Sequence, residues 1–198
     1  LASVWVIFGI HLYLRSFGEL PMVIDLFTSL GFMLVTAVLV IGLLPLFEAT
    51  FQILTDVTLM EYLDPSHPLL KRLSIEAPGT YQHSIVVGTL AEACALSIGA
   101  NGLFCRVATM YHDVGKIATP QYFTENQQGE INIHQLLTPQ ESAQVIISHV
   151  SEGVGLARKA SLPEPIIDVI KEHHGTQLVY YFYRQYLDQV GGDKLKVD

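Results

Sequence analysis

Tyr111-His112-Asp113-Val114-Gly115-Lys116, the run YHDVGK at residues 111–116, sets an imidazole beside a carboxylate and an ammonium three residues further on. On a helix, adjacent residues point about 100° apart. His112 then faces one metal ion while Asp113 lies between two and bridges them. Lys116 falls one turn along the same face, where its ammonium can meet a phosphate oxygen as a point charge. Asp113 and Lys116 are the candidate catalytic residues, and Lys116 is also the candidate substrate contact.

Working outward, four more histidines sit at spacings that let separate helices return to this centre: His83, His149 and the adjacent pair His173 and His174. Imidazole and carboxylate suit borderline and hard divalent ions, and no cysteine stands among them. Brought together from four helices, such ligands can enclose two ions. The candidate metal ligands are therefore His83, His112, Asp113, His149, His173 and His174. His11, His67 and His134 lack matching partners and are read as ordinary histidines.

The sequence around these residues reads as all-α. Thr80 is placed to cap a helix carrying Ile85, Val86, Leu90 and Ile98 that ends near Gly99. Thr138-Pro139-Gln140-Glu141 is a capping box with proline at the first helical position, which starts a helix reaching about Ser151. Pro163-Glu164-Pro165 precedes a helix over Ile166 to His174, with Gly175 placed to end it. Between Ile117 and Leu137 lies a polar connection with little periodicity, of a length that is usually functional. Cys94 and Cys105 fall in apolar helical surroundings and are read as core residues, with neither a disulfide framework nor a zinc motif.

Half of the residues are hydrophobic and only 15% are charged, against roughly 25% charged in soluble domains. The excess sits at the front. Leu1 to Leu14 carries no Lys, Arg, Asp or Glu, and Leu26 to Phe47 is an uncharged run of 22 residues, long enough to cross a hydrocarbon core that needs about 20. The first run reads as the tail of another span and lacks the marks of a signal peptide. Past Pro45 the segment Leu46 to Leu63 gains Glu48, Asp56 and Glu61 and reads as an exit helix, broken by Asp64-Pro65-Ser66-His67-Pro68. This gives membrane helices over residues 1–63, a linker over 64–72 and a helical domain over 73–198. The net charge of −8 argues against a nucleic-acid polymer as partner. An anionic substrate needs a local positive centre, and a metal provides one.

On these motifs the chain resembles the HD superfamily of metal-dependent phosphohydrolases. More closely it is similar to the bacterial seven-transmembrane HD proteins of the PgpH type, which hydrolyse cyclic di-AMP to linear pApA. The stretches that carry the resemblance are GLLPLFEATFQILTDVTLMEYLDPSHPLLKRL (42–73), APGTYQHS (77–84), YHDVGK, the ENQ at Glu125 to Gln127, ISHVSEGV (147–154) and EHHGTQLVYYFY (172–183). The resemblance implies an all-helical HD domain facing the cytoplasm from a multi-pass plasma-membrane protein. It also implies a cyclic dinucleotide as substrate and two divalent ions held by the six ligands named above. Histidine-rich donors favour manganese or iron over magnesium, and bound ions lower the pKa of a water from about 15.7 to about 7.

The family's last metal ligand is an aspartate in a separate helix beyond the histidine pair. Asp188, Asp193 and Asp198 follow His174 too closely to match it, so the HD domain is expected to be incomplete at its C-terminus. A fragment of this extent is expected to bind at most one metal tightly. Gly175-Thr176-Gln177-Leu178 departs from the DGxGYP run of cyclic di-GMP enzymes. The alternatives are an HD hydrolase of another nucleotide and a membrane sensor that binds a nucleotide without cleaving it.

Overall fold

The computed structural model describes residues 5, 9, 19–51, 53–127, 129 and 132–191. Most of the expected first span, together with Asp193 and Asp198, lies outside the described residues. The chain divides into two units, residues 1–53 and 54–198. The described residues contain helices and turns and no strand.

The first unit contains α1, Glu19–Phe51, a 33-residue helix with Pro45 inside it. Its stretch Leu26–Glu48 has a mean hydropathy of 2.6 and is long and apolar enough to cross a membrane. Side-chain hydroxyls in the helix are satisfied locally. Thr28 and Thr36 donate to the carbonyls of Ile24 and Phe32 at 3.0 and 2.8 Å, and Ser29 donates to that of Leu26 at 2.9 Å. Hydroxyls bonded in this way present no unpaired polar group to an apolar surrounding.

The expected exit helix over 46–63 is two helices. α1 continues past Pro45 to Phe51, and α2 begins anew at Asp56–Leu63. The break has a local cause: Thr55 is extended, at φ −82° and ψ 162°, and its side chain accepts from the Thr58 amide as an N-cap. Such a cap starts a helix and does not continue one.

The second unit continues with α3 (Pro68–Glu76), α4 (Pro78–Ser97), α5 (Gly102–Tyr111), α6 (Pro139–Lys159), α7 (Glu164–Glu172) and α8 (Tyr180–Gln189). Residues 64–72, read as a linker, include the first turns of α3, whose Leu69 and Leu70 are buried with Leu73. Together with Leu59 of α2 they join Val107, Tyr111, Val114, Ile166, Ile167 and Ile170 in one core. A buried leucine contributes roughly 1.5–3 kcal/mol, which ties α2 and α3 to this unit. Tyr111 is wholly buried, and its hydroxyl donates to the Tyr62 carbonyl at 2.6 Å. That bond pins the end of α5 to α2.

α4 differs from expectation in its start. Pro78 takes the first helical position and Thr80 lies inside the helix, not at its cap. The buried residues are Thr80, Ser84, Gly88 and Ala95, whereas Val86, Leu90 and Ile98 are exposed. The cause is close helix approach: a Cβ on Gly88 would come within 3.3 Å of the Arg106 carbonyl in α5. Small side chains permit this contact, which hydrophobic periodicity does not register. Cys94 is accordingly exposed and Cys105 partly buried, so neither is a core residue. Gly99 ends the helix region with φ +73°, as the sequence led one to expect. The capping box at Thr138 and Glu141 forms, and α6 runs on to Lys159, well past Ser151.

Candidate metal centre

α5 stops at Tyr111, so His112 and Asp113 occupy the turn that follows it and not a continuing helix. Asp113, at φ −106° and ψ 16°, opens a 3₁₀ turn over Val114–Ala118. In 3₁₀ geometry residues i and i+3 eclipse. Lys116 therefore stands directly over Asp113, with its Nζ 2.8 Å from Asp113 Oδ2.

The turn is seated on α6 through glycine. A Cβ on Gly115 would lie 1.8 Å from the His149 carbonyl oxygen and 2.5 Å from the Gly153 nitrogen. A side chain at residue 115 would force α6 away. With glycine there, the buried His149 of α6 comes beside Asp113, while α7 ends at Glu172 and places His173 and His174 on the same centre.

Three of these imidazoles are oriented alike. The Nδ1 of His112 lies 2.7 Å from the Thr109 carbonyl and that of His173 2.9 Å from the Ile170 carbonyl, while His149 Nδ1 meets the Ile146 carbonyl. A carbonyl only accepts, so each Nδ1 is a protonated nitrogen, and the inward-facing Nε2 is the atom left to coordinate in the neutral ring. His149 Nε2 and His173 Nε2 then face one another at 3.3 Å. Two unprotonated nitrogens at that separation repel, and either a shared proton or a metal ion between them removes the repulsion.

Asp113 divides its carboxylate between two groups. Oδ2 lies 3.2 Å from His112 Nε2, and Oδ1 lies 3.3 and 3.5 Å from the Nε2 atoms of His149 and His173. Oδ1 is buried and receives no hydrogen bond. Asp113, His149, His173 and His174 form one set whose ligand atoms lie within 4.8 Å of one another, and His83, His112 and Asp113 form a second. An orphaned buried carboxylate oxygen ringed by imidazole Nε2 atoms fits a divalent cation. All six expected ligand residues are brought together.

Burial pushes the Asp113 carboxyl up, but His112, His149 and His173 around it hold it well below the usual carboxylate range. Burial pulls the Lys116 ammonium down, and the opposing pull of Asp113 and Glu125 leaves it above its ordinary value. His174 is lowered, by burial first and then by His173 and His149 beside it, which favours the neutral, ligand-competent ring.

Sequence reasoning missed the other partner of Lys116. Glu125 Oε1 accepts from Lys116 Nζ at 2.8 Å and from the Thr80 hydroxyl at 3.0 Å. Asn126 completes this network, accepting from the Thr80 amide and donating to its hydroxyl. Lys116 also lies 4.8 Å from the centre of the Phe123 ring. The signal was present in the ENQ run, because an ammonium packed beside one buried carboxylate between apolar walls can hold a second. Asp188 is exposed on α8 and belongs to neither ligand set. His134 and His67 have structural partners: the Tyr122 carbonyl at 2.7 Å for His134, and the Tyr62 and Tyr111 rings for His67.

The chain is 50% identical over 146 residues to the cyclic-di-AMP phosphodiesterase PgpH of Listeria monocytogenes serotype 1/2a (strain 10403S), covering 74% of this chain and 20% of that protein. It is 45% identical over 160 residues to PgpH of Bacillus subtilis (strain 168), covering 81% and 22%. The chain thus spans about a fifth of the length of these curated relatives. The crystal structure of the L. monocytogenes PgpH HD domain in complex with cyclic-di-AMP superposes with a TM-score of 0.63 at 48% identity, covering 66% of this chain and 61% of that one. The HD domain family matches residues 80–191, a stretch that contains every histidine and carboxylate of the two ligand sets. With its helical fold, its His112-Asp113 pair and that match, the chain belongs to the HD domain family.

Proposed function

We propose that the protein is a metal-dependent phosphodiesterase that opens cyclic di-AMP to linear pApA, using two divalent ions, manganese or iron. The observation that carries this reading is the Asp113 carboxylate, which offers one oxygen to each ligand set. Identity of 45–50% to cyclic-di-AMP phosphodiesterases supports the substrate.

His83, His112, Asp113, His149, His173 and His174 hold the ions in this reading. Bound there, a metal pair supplies an acidified water and neutralises phosphate charge. Asp113 shares its carboxylate between the two positions. The carbonyls of Thr109, Ile146 and Ile170 fix the imidazoles so that their Nε2 atoms stay aimed inward. Lys116 donates an N–H to a non-bridging phosphate oxygen and so orients the phosphodiester. One water adds to phosphorus and the bond to one 3′ oxygen breaks, leaving a 5′-phosphate and a 3′-hydroxyl.

Incubation of the purified full-length protein with cyclic di-AMP and manganese, followed by chromatography, should yield pApA. Excess cyclic di-GMP or a nucleoside triphosphate should compete poorly. Binding without product would favour the sensor alternative. Lys116→Ala should lower turnover by about 10-fold or more, within the range typical of positioned proton-donating and binding groups, while metal content measured by elemental analysis stays near that of the wild type. Metal lost in proportion to activity would contradict a phosphate role.

We further place the protein in the plasma membrane as a multi-pass protein with residues 54–198 in the cytoplasm. The exposed apolar surface of Leu26–Glu48 supports a span. Carbonate washing should leave the protein in the membrane pellet. A membrane-impermeant maleimide should label the exposed Cys94 only after the cells are opened, and labelling of intact cells would reverse the orientation.

A further inference from the structure

We infer that Glu125 is a positioning residue that frees Asp113 Oδ2 for a divalent ion by giving the Lys116 ammonium a second resting place. The inference rests on the metal-centre reading above and concerns a residue outside both ligand sets.

Lys116 Nζ touches Asp113 Oδ2 and Glu125 Oε1 at 2.8 Å each. Oδ2 is also the oxygen that faces His112, at 3.2 Å from its Nε2. An ammonium and a divalent ion thus compete for one carboxylate oxygen, because both are cations and both sit at contact distance. When an ion takes Oδ2, the lysine must retain a counter-charge nearby or repel the ion.

The two anions that flank Lys116 differ in what else they serve. Asp113 is shared with the imidazoles, whereas Glu125 is tied to the protein frame. Its Oε1 accepts the Thr80 hydroxyl, and Asn126 beside it holds Thr80 through two bonds. Its backbone carbonyl lies so close to Gly79 that a Cβ there would sit 1.8 Å from the oxygen. Glu125 is therefore a fixed anion, and lysine, on its four-carbon stem, is the partner able to shift toward it. The Phe123 face lies 4.8 Å from Nζ and offers the same cation a further favourable contact.

Glu125→Gln separates charge from shape. The amide oxygen still accepts from Thr80, but the negative charge is gone, and Asp113 becomes the single counter-ion of Lys116. A divalent ion must then displace an ammonium that has no second anion to receive it. Isothermal titration of the purified, detergent-solubilised protein with Mn²⁺ reads this directly and does not depend on the nucleotide substrate. In Glu125→Gln, Mn²⁺ affinity at one of the sites should fall about 10-fold or more, as is typical when a group outside the ligand set is lost. Adding Lys116→Met to that variant should restore affinity to the wild-type level or above, because the competing cation is removed.

Rescue separates this role from a structural one: a loosened turn around Glu125 would stay loose without the lysine. Unchanged affinity in Glu125→Gln, or no recovery in the double variant, would overturn the inference while leaving the metal centre intact. Should Glu125→Gln fail to fold, Lys116→Met alone still decides, since it must bind Mn²⁺ at least as tightly as the wild type, and weaker binding would overturn the inference. A wild-type protein that takes up no Mn²⁺ would overturn the metal-centre reading and this inference with it.

Discussion

Asp113→Ala is expected to deprive both ligand sets at once and to lower cyclic di-AMP turnover by more than about 100-fold, beyond the 10–100-fold typical of losses outside the ligand set. The size of the effect follows from geometry. Oδ2 faces His112 and Oδ1 faces His149 and His173, so a single substitution removes the one carboxylate that the two ligand sets share among the described residues. The remaining neutral imidazoles offer no charge to balance a divalent ion. Elemental analysis should find both ions depleted, and product chromatography should find no pApA above background. A variant with normal metal content would show that Asp113 does not bridge. Asp113→Asn, which keeps the shape and discards the charge, should behave like the alanine variant.

Gly115→Ala adds a single methyl group and is expected to act through the fold. Its Cβ would overlap the His149 carbonyl oxygen and the Gly153 nitrogen, both backbone atoms that cannot rotate aside. Overpacking typically costs 1–3 kcal/mol, and against two backbone atoms about 3 kcal/mol is expected, a fall in Tm on the order of 10 °C. Because the displaced segment carries His149, metal affinity should fall in parallel. Thermal melts with and without Mn²⁺ test both effects. A Tm within about 2 °C of the wild type would mean that the turn and α6 are less tightly opposed than the 1.8 Å clash implies.

The centre was legible in sequence because its chemistry is written in residue types that are costly to bury without purpose. His112-Asp113 with three further histidine positions at helix-compatible spacings leaves few other readings, and the structure gathers all six residues. The route to that geometry was not legible. The position of Asp113 between the two ligand sets comes from a turn after Tyr111 and not from a 100° step along a helix, and no pattern in YHDVGK announces where α5 stops. Thr80 satisfies a rule for helix caps, yet Pro78 starts α4 earlier and leaves Thr80 free to hold Glu125. The buried face of α4 was not legible for a related reason. Periodicity counts large apolar residues, whereas Ser84 and Gly88 are buried because they are small. α3 was hidden by its flanking prolines, which mark a break before Leu69 and Leu70 but say nothing of how soon a helix resumes.

The end positions of α5 and α7 also bear on which charges the centre admits. His112 and His173 each occupy the residue immediately after the last helical one, so the carbonyl termini of two helices converge on the ligands. Aligned peptide dipoles leave about half a negative charge at such an end, and each favours a nearby cation by roughly 0.3–1 kcal/mol. The usual helical cradle for phosphate is the opposite pole, where amide N–H groups point at the anion. Here the backbone field repels a phosphate and attracts a metal. On the proposed reading, two such ends weaken the hold of the metal-free centre on a phosphate by a factor of a few, so nucleotide affinity should rise as cations load.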